Sequence, residues 1–113
     1  MSRRHDFGRA GEDAAAGYLR SLGFAVLRRN QRGPDGEIDI IALDGTTFVF
    51  VEVKARRSGS YGSALGAVDA RKRRRLRAAA ADYLQFVAPQ AKARFDVLTF
   101  DGTTMRLHRN AFS

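Results

Sequence analysis

Residues 36–54 read GEIDIIALDGTTFVFVEVK, and this stretch decides the fold of the chain. Two runs rich in β-branched and aromatic residues lie on either side of Asp44-Gly45. This dipeptide favours a two-residue type I′ turn, because Asp and Gly adopt positive φ more readily than most residues. The pattern therefore predicts a β-hairpin, and in the register set by that turn Leu43 faces Thr46.

Alternation along the two predicted strands places the acidic residues on a single face of the hairpin. That face holds Glu37, Asp39, Ile41, Phe50, Glu52 and Lys54. Asp39 and Glu52 become diagonal cross-strand neighbours, with Cα atoms roughly 7–8 Å apart. Two carboxylates at this separation can share one small divalent cation, and Lys54 lies on the same side.

The arrangement of Asp39, Glu52 and Lys54 is typical of metal-dependent nucleases, and we predict these three as catalytic residues. The carboxylates would hold Mg²⁺ or Mn²⁺, the metal would activate a water, and the lysine would stabilise charge on the phosphate. The alternative interpretation is a solvated strand face. The apolar residues on both faces instead indicate a strand buried on both sides, where carboxylates are costly without a partner or metal.

A second aspartate competes for the metal role. Asp35 follows Pro34 and precedes Gly36, and this setting is better explained by turn chemistry. Asp39 lies inside the hydrophobic strand, so we prefer it as the ligand.

Composition restricts the class of protein and its partners. A chain of 113 residues with 44% hydrophobic residues predicts one globular domain, 1–113. The net charge of +8 favours a nucleic acid partner over an anionic membrane, and of the two nucleic acids we expect DNA rather than RNA. The absence of cysteine excludes disulfides and thiolate metal sites and fits a cytoplasmic protein. We expect neither a signal peptide nor a membrane helix, and a homodimer is an open possibility.

The residues before the hairpin predict a helix and a strand. Residues 1–5 are predicted to be a loose basic tail, and a helix follows from about Phe7 to Leu22. The residues assigned to this helix are Asp6 as its N-cap, Gly8 and Gly11 packed closely on the sheet, and Ala14, Ala15, Tyr18, Leu19 and Leu22 as its apolar stripe. Glu12 lies at the edge of the packed face, directed either toward the acidic face of the hairpin or into water. Residues 24–29 predict the first strand.

Residues 55–68 are rich in glycine and arginine and predict a mobile loop. The loop is either a plain connector or a basic flap over a nucleic acid strand. In the second interpretation Arg56 and Arg57 bind phosphates and Tyr61 stacks on bases.

A second helix is predicted from about Ala70 to Val87, with Asp69 as its N-cap. Its apolar stripe is predicted to be Leu76, Ala80, Tyr83, Leu84 and Val87. Six of the seven residues 71–77 are cationic, which indicates either a solvated face or a surface for phosphates. Arg71, Lys72, Arg74 and Arg75 are the predicted nucleic-acid contacts. Lys72 falls on the stripe that faces the sheet, so it either reaches the acidic site or snorkels along the core edge.

A second hairpin is predicted from residues 94–108, and Asp96 within it is expected to be an ion-pair partner rather than a metal ligand.

Motifs over nearly the whole chain resemble those of the YraN family of small bacterial proteins. They are Gly8-x-x-Gly11-Glu12, Tyr18-Leu19, Gly23-Phe24, Arg29-Asn30, Gly36-Glu37-Ile38-Asp39, Phe50-Val51-Glu52-Val53-Lys54, Arg56, Gly62, Lys72, Arg94-Phe95-Asp96 and Asn110-Ala111-Phe112. The resemblance implies an α/β restriction-endonuclease-like (PD-(D/E)xK) fold, similar to archaeal Holliday-junction resolvases. Its αβββαβ core has a mixed sheet flanked by helices.

The same resemblance implies a Mg²⁺ or Mn²⁺ site in which Glu12 joins Asp39 and Glu52. One departure is that Ile38, rather than the proline of the superfamily, precedes Asp39. We therefore expect a metal-dependent endonuclease that hydrolyses phosphodiesters in branched, damaged or single-stranded DNA. The alternatives are a nucleic-acid-binding protein that keeps the fold without turnover, and a basic adaptor for an acidic protein.

Overall fold

A computed structural model describes residues 3–56, 70–101 and 104–112 of the chain. In these ranges the chain forms an α/β domain of two helices and five strands. The elements are α1 (Arg3–Ser21), β1 (Ala25–Gly33), β2 (Gly36–Asp44), β3 (Thr47–Arg56), α2 (Ala70–Val87), β4 (Ala93–Asp101) and β5 (Thr104–Phe112).

The five strands form one mixed sheet in the order β1-β2-β3-β4-β5. Strands β3 and β4 are parallel, and the other neighbouring pairs are antiparallel. A parallel pair needs a crossover connection, and α2 lies in the segment that joins β3 to β4. The predicted α/β class with a mixed sheet flanked by helices is confirmed at this level.

Each helix covers one face of the sheet. On one face, α1 packs its buried Ala15, Ala16 and Leu19 against a cluster that includes Val49 and Val51. On the other face, residues of α2 pack against the second cluster. The α2 residues buried there are Leu76, Ala79 and Ala80, and the sheet residues include Ile41, Phe48 and Phe50. Strands β2 and β3 are covered by a helix on each face of the sheet. This explains why their sequences are hydrophobic almost without interruption.

The turn of the β2–β3 hairpin differs from the prediction. Asp44 pairs with Thr47, so the two turn residues are Gly45 and Thr46. Gly45 has φ of 63°, whereas Thr46 does not have a positive φ, which is the requirement of a type II′ turn rather than a type I′ turn. The register moves by two residues, and an even shift by itself does not change the face on which a side chain lies.

Helix α1 begins at Arg3, so it overlaps the predicted tail at residues 3–5, and Asp6 lies within it rather than at its cap. Its buried face is also rotated, since Ala14 and Leu22 are exposed while Ala16 is buried. Gly11 is buried, as predicted, and a Cβ there would lie 3.6 Å from the Phe100 ring.

Helix α2 has the predicted bounds, and most of its predicted stripe contacts the sheet cluster. Val87 is instead exposed, and Ala79 is an additional buried residue. The predicted N-cap, Asp69, lies outside the described residues. Strand β3 continues to Arg56, so residues 55 and 56 of the predicted mobile loop belong to the strand, and residues 57–68 lie outside the described ranges.

Candidate metal and phosphate site

The structure brings Asp39 and Glu52 together at the centre of the sheet. The β2–β3 ladder ends on this side with Ile40 paired to Val51, and Asp39 precedes Ile40 while Glu52 follows Val51. The two carboxyl groups are close enough for Glu52 to raise the pKa of Asp39. The register shift at the turn therefore brings the pair closer than the predicted diagonal spacing.

The Asp39 carboxyl lies in a setting that disfavours its charged form. Burial, and then the neighbouring Glu52 charge and hydrogen bond, raise the pKa of Asp39 to about 8. A hydrogen bond of 2.8 Å from the Val53 backbone N–H to Asp39 Oδ2 opposes this effect only in part. Near neutral pH, the raised pKa therefore favours the protonated form of Asp39.

The alternation of β2 is interrupted beside Asp39. Ile38 and Ile41 both pack in the cluster on the α2 side, while Ile40 packs on the α1 side. Sequence alternation had placed Ile38 with Ile40, which is wrong. On β1, Asn30 lies between the residues paired with Ile38 and Ile40 and has φ of 55°. The interruption allows the Asp39 side chain to serve as the acceptor for a backbone N–H of β3.

Two lysines meet at one oxygen of Glu52. Lys54 Nζ of β3 lies 3.5 Å from Glu52 Oε2, and Lys72 Nζ of α2 contacts the same atom. The Glu52 side chain is 6% exposed, so the two cations compensate a buried charge. Of the two alternatives that the sequence left open for Lys72, the structure shows the one in which its ammonium group reaches the acidic residues from the helix.

The two lysines differ in basicity. Burial and the neighbouring Lys72 lower the pKa of Lys54. Burial also lowers the pKa of Lys72, but hydrogen bonds with Glu52 and Lys54 outweigh it and raise that pKa overall. Lys72 is thus the firmly charged member of the pair, and Lys54 loses its proton more readily.

Glu12 is held apart from the carboxyl pair by a partner that the sequence did not indicate. Asn30 Nδ2 donates a hydrogen bond of 2.9 Å to Glu12 Oε1, although the charge of Glu12 still contributes to the raised pKa of Asp39. In the described part of the chain, no three acidic or histidine side chains converge as a metal-ligand group. The three-carboxylate set implied by the resemblance is therefore not assembled. In the sequence, the only signal that pointed to Asn30 was its place in the Arg29-Asn30 motif.

The cationic face of α2 adjoins the site. Arg71, Arg74 and Arg75 are exposed and line a cavity of about 300 Å³. A second cavity, of about 270 Å³, is lined by both Arg75 and Lys72, so the arginines and the Glu52 centre are continuous along the helix. Of the three other predicted nucleic-acid contacts, Arg56 is the last residue of β3, and Arg57 and Tyr61 lie outside the described residues.

Asp35, the competing metal candidate, lies elsewhere on the surface. It lines the same two cavities as the α2 arginines. Its carboxyl faces Asp82 of α2, and a hydrogen bond between the two raises the pKa of Asp82. The preference for Asp39 as the carboxylate beside Glu52 is consistent with this placement.

Asp96 is a buried ion-pair partner, as predicted. Its side chain is fully buried, and Arg94 Nε lies 3.0 Å from Asp96 Oδ1. The same oxygen accepts a hydrogen bond of 2.8 Å from the backbone N–H of Asn110, which has φ of 53°. Arg94 also binds Asp44 at 2.8 Å and so connects β4 to the hairpin turn.

Within the described ranges, neither helix combines the length and the apolar character that crossing a bilayer requires.

Comparison with known proteins gives a consistent family match. A family described as "Uncharacterised protein family UPF0102" matches residues 11–100. A UPF0102 protein of Desulfosudis oleivorans is 46% identical over 115 residues, covering 99% of this chain and 94% of that protein. UPF0102 proteins of Chlorobium chlorochromatii and Shewanella loihica are 50% and 43% identical, covering 82% and 93% of this chain and 72% and 92% of those proteins. These names state no activity.

Proposed function

This chain belongs to the UPF0102 family, and we propose that it is a cytoplasmic, divalent-metal-dependent nuclease of restriction-endonuclease-like fold. Its substrate would be branched, damaged or single-stranded DNA. The membership confirms the expected relation to an uncharacterised bacterial family. The observation that carries the proposal is the Asp39–Glu52 carboxyl pair, in which Glu52 is buried, with two lysines at Glu52 and a cationic helix face beside it.

The donor set suits a hard divalent cation. Burial and the neighbouring Glu52 raise the pKa of Asp39, and a divalent cation bound between the two carboxyl groups would remove their repulsion. Mg²⁺ is often bound by only one or two carboxylates, with waters and substrate phosphates completing its shell. Asp39 and Glu52 would therefore be sufficient protein ligands without Glu12.

The residues around the pair have distinct roles in the proposed reaction. When bound, Mg²⁺ or Mn²⁺ supplies an activated water and a Lewis acid for phosphodiester hydrolysis. Lys72 holds Glu52 in place from α2. Lys54, which loses its proton more readily than Lys72, lies where it can exchange a proton or stabilise charge on the phosphate. The arginines of α2 bind the DNA backbone and position it without reading sequence.

One observation favours a second candidate, a nucleic-acid-binding protein without turnover. Glu52 Oε2 is already engaged by two lysines, and in the portion of the chain described here no third ligand joins the pair. A cation would have to displace at least part of that lysine contact. Such a protein would keep the cationic surface and bind DNA without cleaving it.

Cleavage assays test the proposal. Forked, four-way and single-stranded DNA are incubated with the protein in Mg²⁺ or Mn²⁺, alongside Asp39→Asn and Glu52→Gln. Asp13→Asn on α1 is the matched control, since Asp13 is exposed and pairs with Arg29. We expect cleavage by the wild type and the control, and none by the two site variants. Unchanged cleavage by Asp39→Asn would refute the assigned centre, and DNA binding without cleavage by the wild type would favour the second candidate.

A further inference from the structure

A groove separate from the acidic centre lies between the β1–β2 turn and the C-terminal half of α2. Its volume is about 340 Å³, at the lower end of the roughly 300–1,000 Å³ typical of small-ligand pockets. The residues that matter for its chemistry are Arg28, Gln31, Arg32, Asp82, Tyr83 and Phe86.

One wall of the groove is aromatic. Phe86 is 87% exposed, the most exposed large hydrophobic side chain in the described residues. Tyr83, one turn earlier, is held by edge-on contacts with Phe48 and Phe50, with ring centroids 6.3 and 6.2 Å apart. A fixed ring beside an exposed ring is a surface on which a planar ligand can stack.

The remaining walls of the groove carry both hydrogen-bond donors and hydrogen-bond acceptors. Arg28 and Arg32 are exposed at the β1 side and offer cationic donors. Gln31 offers a donor and an acceptor, and Asp82 offers an acceptor. An aromatic surface with adjacent donors and acceptors matches the face and the edge of a nucleobase.

A second cavity lies between the groove and the acidic centre along α2. The cavity at Lys72 is formed by the same two elements, the β1–β2 turn and α2. Lys72 and Phe86 are 14 positions apart, or about 21 Å along the helix axis. The arginines of α2 lie at the Lys72 end, so a DNA strand that follows the helix passes both places.

We infer that this groove binds one unpaired nucleobase of a DNA strand whose backbone lies along the cationic face of α2. The inference rests on the proposed function and narrows its substrate to DNA that contains an unpaired nucleotide. An acidic peptide would also satisfy the arginines. The carboxyl group of Asp82, which lines the groove, would repel the carboxylates of such a peptide but can accept hydrogen bonds from base amino groups.

A fluorescence titration tests the inference. The probes are a fully paired duplex and the same duplex with one bulged 2-aminopurine, a base whose fluorescence is quenched on stacking, both in Ca²⁺ to prevent cleavage. The variants are Phe86→Ala, Phe86→Leu and Phe86→Trp. Leu22→Ala is the matched control, because Leu22 is an exposed aliphatic residue that does not line the groove.

The wild type, Phe86→Trp and Leu22→Ala should bind the bulged duplex more tightly than the paired one and quench its fluorescence. Phe86→Ala and Phe86→Leu should lose the preference, with bulged-duplex affinity reduced about 5- to 150-fold, the range of stacking on one base. Their affinity for the paired duplex should stay unchanged.

Two results would overturn the inference. If Phe86→Ala keeps the preference and the quenching, the base binds elsewhere while the proposed function stands. If the wild type binds neither duplex, the proposed function and the inference fail together. A groove for an apolar peptide would give no quenching in any variant, and Phe86→Leu would then behave as the wild type in all titrations.

Discussion

Lys72 of α2 contacts Oε2 of Glu52 in β3, and this contact joins the cationic helix to the acidic centre of the sheet. Glu52 is buried, so its charge depends on cations supplied by its neighbours. The helix that presents arginines to solvent therefore also determines the state of the carboxyl pair. The consequences can be measured as stability, metal binding and DNA binding.

Removing the Lys72 ammonium should destabilise the fold. In Lys72→Met the aliphatic chain is kept, but the buried Glu52 oxygen loses a partner, at a cost of roughly 1–3 kcal/mol. Urea unfolding monitored by circular dichroism measures the change, with the exposed Arg71→Met as control. Adding Glu52→Gln to Lys72→Met should recover part of the loss, and additive losses in the double variant would show that the contact contributes no stability.

Lys54→Met should separate binding from chemistry. DNA binding should fall only modestly, because several arginines share the backbone contact, whereas cleavage should fall by orders of magnitude, because charge builds on the phosphate in the transition state. Equilibrium titration and single-turnover rates on one branched substrate provide both quantities. Equal losses in the two measurements would mean that Lys54 only holds DNA.

Without metal, stability should fall as the pH rises. The pKa of Asp39 is about 8 in the folded protein against 3.8 in its ordinary state, so between these values the folded chain holds a proton that the unfolded chain has lost. The free energy of unfolding then decreases with pH, by at most about 1.4 kcal/mol per unit for this one group. Thermal melts from pH 5 to 9 measure the slope, which should flatten in Asp39→Asn. An unchanged slope in that variant would contradict the assignment.

Mg²⁺ or Mn²⁺ should raise the melting temperature, and more strongly at pH 8 than at pH 6. A cation that binds the folded chain stabilises it, and at higher pH it competes less with the proton of Asp39. Melts with and without 5 mM metal measure the shift, and Asp39→Ala should abolish it. A shift of equal size in Asp39→Ala would place the metal at another site, such as Asp35.

DNA affinity should depend steeply on salt. Each phosphate neutralised contributes a slope of roughly −0.9 in log K against log salt. Reversing Arg74 and Arg75 to glutamate should weaken binding to all sequences about equally and reduce the magnitude of the slope by about 2. If binding survives with the same slope, the cationic face of α2 is not the surface that contacts DNA.

Much of the scaffold was predictable because it depends on local patterns. Alternation along β2 and β3 was enough to place Glu52 and Lys54 on one face, since parity survives a register error of two. The bounds of α2 and the inward direction of Lys72 also follow from spacing along one helix.

The position of the hairpin turn and the buried face of α1 could not be predicted, because both depend on contacts between residues distant along the chain. Both Asp44-Gly45 and Gly45-Thr46 are acceptable turn dipeptides, and the observed register keeps Asp44 in the strand, where Arg94 binds its carboxylate. On α1, residues 14–16 are all alanine, so their apolar character does not distinguish one rotation of the helix from another. Packing against the sheet makes that choice.

The sequence by itself determined which residue types lie together, namely two acids and a lysine on a central hairpin and arginines on one helix. Only the tertiary structure decided the hydrogen bonds, ion pairs and pKa values of these residues. The hydrogen bond from Asn30 to Glu12, the proximity of Glu52 that raises the pKa of Asp39, and the second lysine at Glu52 each depend on contacts between different elements. Burial and the distances between charged groups set these states, and both come from packing rather than from local pattern.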